Sequence, residues 1–274
     1  MVIGPFLGGI LAGDDGNFMR PGLFAAGLST TAIVAGLLFL RETLPAEARA
    51  AGAAHRKEHG NGGSILRMLR DSKNTLLAAQ YFLNNSCHTI VSYLFPLWVG
   101  VFLGWGAKEV GMVFGALGVC MVILQGGLIG RLVRLMGELR LLLVGGSMMA
   151  SGFLIAASAT GETPMLVAFF CTICGGTLCT PVLNALVANR TPAHLRGRMM
   201  GTTSSSAAFG RVFGPLLGGV MLSLFGFNIA WLSGTVFALL IVSWAISQIR
   251  QPPAAPQLAT VTAGTPSSGV DNGS

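Results

Sequence analysis

The sequence predicts an all-α protein that crosses a membrane several times, and three observations carry that prediction. Of its 274 residues, 52% are hydrophobic and only 10% charged, where a soluble domain carries about 25% charged residues. Apolar runs long enough to cross a hydrocarbon core of ~30 Å recur from end to end. The Lys and Arg residues alternate between the segments that join those runs. The linker 41–73 holds seven, the 131–140 and 190–198 loops three each, and Arg250 stands at the start of the tail, whereas the intervening loops hold only Arg20 and Lys108. Fourteen against two, with Arg211 left inside a run, is the asymmetry expected when basic loops stay in the cytoplasm. The net charge of +7 is therefore read as membrane topology, with no nucleic-acid partner.

Taken in order, residues 1–13 are apolar and stop at Asp14-Asp15. At 1.5 Å per residue they reach roughly 20 Å, so they are read as a half helix. Leu23–Leu40 is uncharged and can span, ending in Arg41-Glu42-Thr43-Leu44-Pro45. Residues 1–40 are expected to close one helix bundle. Residues 41–73 form the one long polar stretch between spans, with Gly60-Asn61-Gly62-Gly63 as a flexible break and 65–70 as a short interfacial helix. Six spans follow over 74–250, at roughly 75–103, 110–130, 141–160, 164–188, 199–226 and 228–249, which makes seven complete spans plus one half. The tail 251–274, rich in Pro, Ala, Thr, Gly and Ser, is expected to be disordered and cytoplasmic.

One motif occurs twice. Gly4-Pro5-Phe6-Leu7-Gly8-Gly9 returns 210 residues later as Gly214-Pro215-Leu216-Leu217-Gly218-Gly219. A period of that length is no solenoid; it suits two halves of a transporter built from repeated helix sets. Glycines four apart share a helix face and admit another backbone, so Gly210, Gly214 and Gly218, and also Gly111 and Gly115, are expected to be helix contacts.

Polar groups inside spans are costly, so their placement is informative. Gln80, Asn84, His88 and Ser92 recur every four residues on one face of 75–103, flanked by Asn85 and Tyr93. They line a substrate cavity or hydrogen-bond between packed helices. His88 titrates nearest neutrality in that span; it carries protons or sits as a neutral core histidine. Thr177, Thr180 and Asn184 make a second polar face beside the kink expected at Pro181, and Gln125 is placed at the same cavity. Arg211 either pairs with an acid or substrate outside this bundle, or caps carbonyls freed at Pro215 and snorkels. Cys87, Cys120, Cys171, Cys174 and Cys179 all lie in apolar runs. The Cys171–Cys174 pair lacks neighbouring ligands, so it is read as packing rather than a metal site. No catalytic triad, phosphate loop or carboxylate pair is present, so neither an enzyme nor a cofactor is expected.

These residues resemble the major facilitator superfamily, in its drug:proton antiporter branch with the tetracycline-efflux-like proteins. That fold has twelve helices in two halves. Gly4 to Gly9 match the end of its helix-five motif G-x-x-x-G-P-x-x-G-G, and Gly214 to Gly219 match the echo in helix eleven. Glu42-Thr43, the 105–111 segment Trp-Gly-Ala-Lys-Glu-Val-Gly, and Arg190-Thr191-Pro192 with Arg196-Gly197-Arg198 and Gly201 resemble the end of helix six and the loops into helices eight and eleven. The loop 130–140 resembles G-x-L-a-D-R-x-G-R-R but carries Arg134 at the acidic position, with further departures at Leu135 and Glu138, so the lock that acid makes is expected to be weak.

The resemblance implies proton-driven export of a small amphipathic molecule by alternating access, with the lipid bilayer, the solute and the proton as partners. It also implies that the chain opens midway in helix five, that helices one to four are missing partners, and that these residues alone do not transport. Uptake by proton symport, or a non-transporting membrane fragment, remain open alternatives. The topology has its own check: reporters fused after Ser274 and within 158–163 should report opposite sides of the membrane, and the same side for both would refute the span count.

Overall fold

The computed structural model describes residues 3–13, 18–39, 72–191 and 193–250. The expected linker, except for its last two residues, the interfacial helix at 65–70 and the tail 251–274 lie outside the described residues. Every described element is helical: α1 (Ile3–Ala12), α2 (Met19–Phe39), α3 (Ser72–Leu103), α4 (Ala107–Ile123), a π-helical stretch (Leu124–Leu128), α5 (Ile129–Met136), α6 (Glu138–Ser158), α7 (Glu162–Arg190), α8 (Ala193–Phe225) and α9 (Phe227–Arg250). Among the described residues seven helices are long and apolar enough to cross a membrane, with α4, the π-helical stretch and α5 forming one continuous span, Ala107–Met136.

Helix boundaries differ from the expected ones at the basic ends. Arg131 and Arg134 were expected in a loop, but the helix runs through them to Met136 and breaks only at Gly137, whose φ of 77° is open to glycine and strained for other residues. Likewise α8 begins at Ala193, ahead of Arg196 and Arg198. Charge ends the apolar run without ending the backbone hydrogen bonding, and long basic side chains reach water from the last turns. At the start of α4, the Gly106 N–H donates to Glu109 Oε2 at 2.8 Å, satisfying one donor at the helix entry.

Of the glycines expected at helix contacts, Gly210, Gly214 and Gly111 meet another backbone, whereas Gly218 and Gly115 meet side chains. A pairing the spacing did not indicate joins α6 and α7. A Cβ on Gly145 would lie 2.7 Å from the Gly175 carbonyl oxygen, and one on Gly175 would lie 2.5 Å from that of Gly145. On α8, a Cβ at Gly210 would lie 2.5 Å from the Phe82 carbonyl oxygen and one at Gly214 would lie 2.7 Å from that of Ser86, while Gly218 has ordinary contact with Ile90 and Leu94 at 3.8 Å. Ser86 Oγ donates to the Gly210 carbonyl at 3.2 Å across the same contact. Gly111 and Gly115 receive α1: a Cβ on Gly9 would lie 2.8 Å from Gly111 Cα, and one on Gly115 would strike the Phe6 ring. Gly4 and Gly8 have nothing within 4 Å of a Cβ, so of the first motif's glycines only Gly9 makes a close approach among the described residues. Arg211 lies exposed midway along α8 and makes no hydrogen bond or ion pair among the described residues, so the carbonyl-capping role considered for it is not observed.

At the centre stands α7. Of its most apolar stretch 67% is buried, against 17% for the Ala107–Met136 and Arg196–Phe225 spans and none for α2. Phe95 and Phe169 stack with centroids 4.0 Å apart, tying α3 to α7, while Phe114 meets Phe169 edge-on at 5.3 Å and anchors α4.

The glycine contacts yield a direct test. Gly175→Val should lower the thermal unfolding temperature in detergent by well over 5 °C or block folding, because the intruding carbon meets the α6 backbone at Gly145 and at Met149. Gly130→Ala, at an exposed helical position with nothing within 4 Å, should leave it unchanged or slightly raised.

Candidate functional site

The polar face expected on the first span of the bundle becomes a seam between α3 and α7. Because the helices run antiparallel, steps along one are matched by steps back along the other. Asn84 Nδ2 donates to Thr180 Oγ1 at 3.3 Å, and Tyr81 Oη donates to Asn184 Oδ1 at 2.7 Å. Thr180 Oγ1 also donates to the Gly176 carbonyl at 3.2 Å. Tyr81 is the seam residue that the four-residue spacing did not include; a tyrosine within an apolar run gives only the signal that its hydroxyl needs a partner when buried.

Two acceptors on this face of α3 have no partner among the described residues. Gln80 and Asn84 are 3% and 4% exposed, and their oxygens Oε1 and Oδ1 are buried without a hydrogen bond among the described residues. Leaving such a group unsatisfied costs roughly 1–3 kcal/mol. Gly176 lies against Asn84: a Cβ there would make ordinary contact, 3.5 Å from His88 Cδ2 and 3.6 Å from Asn84 Oδ1. His88 and Asn84 therefore face one glycine of α7. Pro181 lacks an N–H, so the Thr177 carbonyl one turn earlier has no helical donor, adding a further acceptor on this helix.

The remaining candidates stand differently. Ser92 Oγ donates to the His88 carbonyl at 2.7 Å, and Asn85 Nδ2 to the Tyr81 carbonyl at 2.9 Å, both within α3. Thr177 is buried and donates to the Ile173 carbonyl at 2.9 Å. Gln125 is exposed in the π-helical stretch and takes no part in the seam's hydrogen bonds. On α8, Gly197, Gly201, Ser204, Ala208 and Arg211 are all exposed and fall on one helix face, which places Arg211 on a stripe of small and polar residues rather than in the seam.

Among the described residues no cluster of three or more His, Cys, Asp or Glu is positioned to hold a metal. The cysteines are free thiols. Cys174 lies against Cys120 of α4, Sγ to Sγ 3.7 Å, a contact between helices that the Cys171–Cys174 spacing did not indicate. What the seam offers chemically is a set of carbonyl acceptors, one imidazole and no carboxylate, enclosed between two helices. That suits the recognition of a ligand bearing hydrogen-bond donors, and it contains no nucleophile–base pair.

Comparison with known proteins adds the following. The family model described as Major Facilitator Superfamily matches residues 1–177 and 109–268. The class H tetracycline resistance protein of Pasteurella multocida is 26% identical over 262 residues, covering 93% of this chain and 64% of that protein. The class G tetracycline resistance protein of Vibrio anguillarum is 27% identical over 227 residues, 79% of this chain and 53% of that protein. Multidrug resistance protein 2 of Bacillus subtilis (strain 168) is 27% identical over 233 residues, 81% of this chain and 55% of that protein. The chain thus spans between about half and two thirds of the length of these relatives.

The seam's hydrogen bonds are measurable. A double-mutant cycle of Tyr81→Phe with Asn184→Ala should show a coupling of about 0.6 kcal/mol, the average for interhelical hydrogen bonds in a membrane protein. The same cycle with Ser92→Ala in place of Tyr81→Phe should show none, because Ser92 bonds only within α3.

Proposed function

The chain belongs to the major facilitator superfamily, and from that premise we propose that it is part of a secondary transporter that exports a small amphipathic molecule in exchange for protons. The relatives are named for tetracycline and multidrug resistance, which supports a substrate among such drugs. The observation that carries the assignment to this bundle is the α3–α7 seam, where Gln80 Oε1 and Asn84 Oδ1 are buried without partners. A ligand with N–H or O–H donors would satisfy both, and His88 beside Gly176 would lie within its reach. Alternating access then moves the substrate past this seam as two bundles rock against each other. Residues 74–250 supply one six-helix bundle and residues 1–40 the end of another, with 41–73 joining them.

The chain is a multi-pass membrane protein. We place it in the plasma membrane, with the ends bearing Arg131, Arg134, Arg140, Arg196 and Arg198 in the cytoplasm, on the charge asymmetry of its loops. It acts as a carrier and makes or breaks no covalent bond.

Everted membrane vesicles containing the natural gene product test this reading. Uptake of tetracycline or of a cationic dye should require a proton gradient and stop on addition of an uncoupler. Asn84→Leu and Gln80→Leu should each lower the initial rate about tenfold, the loss of roughly 1.4 kcal/mol, while Ser92→Ala should change it less than twofold. Uncoupler-insensitive uptake would remove the proton from the mechanism. Full activity in both leucine variants would remove the seam.

A further inference from the structure

A hollow of about 140 Å³ opens at the arginine-bearing end of the bundle, where α3, α7 and α8 meet; Tyr81, Asn184, Arg196, Met200, Thr203 and Ser204 form most of its wall. Its volume is that of four to five waters at ~30 Å³ each, well below the 300–1,000 Å³ typical of sites for drug-sized ligands. It is therefore too small for the exported molecule.

The polar groups on its wall are biased towards donors. Among the described residues Arg196 is the one charged residue lining it. One nitrogen, Nη2, donates to the Ala188 carbonyl at 3.0 Å, which pins the guanidinium over the end of α7 with N–H groups to spare. The Tyr81 hydroxyl occupies Asn184 Oδ1, so the amide nitrogen of Asn184 is the end left to donate. Ser204 is exposed and its hydroxyl is unengaged among the described residues, while Thr203 Oγ1 donates back to the Met200 carbonyl at 3.1 Å. Among the described residues no carboxylate lines the hollow. The nearby Glu138 accepts from Asn189 Nδ2 at 3.3 Å and stays outside it.

We propose that this hollow is an oxyanion subsite, holding a phosphate or carboxylate group on Arg196, Asn184 and Ser204. A bound anion would tie the end of α7 to the first turns of α8. The group arrives either on a phospholipid of the adjoining leaflet or as a free anion from solution, since both present the same oxygens. The inference does not depend on export and is read out by binding.

The protein is purified in a neutral detergent and its thermal unfolding is followed in sodium phosphate against sodium chloride of equal ionic strength. In a second arm, mixed micelles contain phosphatidylglycerol or an uncharged, phosphate-free glycolipid. At least one phosphate source should raise the unfolding temperature by about 2–4 °C. Arg196→Gln and Ser204→Ala should each reduce that rise, and Arg198→Gln, which alters the same net charge away from the hollow, should preserve it. A response to phosphatidylglycerol alone identifies the lipid as the source, and a response to phosphate identifies a soluble anion. No rise with either, a rise undiminished in Arg196→Gln, or an equal loss in Arg198→Gln would overturn the proposal.

Discussion

Lipid tails surround a leucine about as favourably as a neighbouring helix does, so apolar side chains alone do not hold membrane helices together. What remains is close contact between backbones, and in this chain that contact is made at glycines. Gly145 lies on Gly175, Gly210 on Phe82, Gly214 on Ser86, and Gly9 on Gly111. Each approach sums many dispersion contacts of ~0.1–0.2 kcal/mol and sets the height at which two helices pass. The rest of the structure inherits that height.

The seam inherits it most directly. Asn84 meets Thr180, and Tyr81 meets Asn184, only because α3 and α7 are held in one vertical register; one residue is 1.5 Å along a helix, enough to break a bond of 2.7 Å. The same packing holds Gln80 and Asn84 in place despite their unsatisfied oxygens. A site that keeps such groups poised must be rigid around them, and the backbone contact of Gly175 with Gly145 adjoins Gly176, the glycine that faces Asn84 and His88.

Most of the spans were legible in the sequence because the signal is a long sum of hydrophobic residues that no local feature overturns. Their ends were less legible: Arg131, Arg134, Arg196 and Arg198 mark the limit of the apolar run, but helical hydrogen bonding does not depend on what the side chains carry. The two copies of the repeat are alike in sequence, yet among the described residues nothing lies within 4 Å of a Cβ on Gly8 where Gly218 touches α3, since what a glycine meets is decided by a partner far away in sequence. Within the seam, the four-residue spacing located Gln80, Asn84 and His88 on a common face. It could not tell that Ser92 would turn back on its own helix, because a serine finds the carbonyl four residues earlier as readily as a partner on another helix. Nor did spacing point to Tyr81, whose hydroxyl extends further than the helical face from which it starts.

The π-helical stretch Leu124–Leu128 carries a different implication. Such a turn is an α-helix with one residue too many, taken up as a local bulge. Ile129, Leu132 and Val133 beyond it pack against the core while Arg131 and Arg134 do not, so the bulge keeps both sides of the span in phase. Removing one residue there, at Gly126 or Gly127, would restore a regular helix and leave the flanking faces where they are. Removing one anywhere else in the span would swing everything after it by about 100°. The span therefore has one place where its length is adjustable, and Gln125 stands in it.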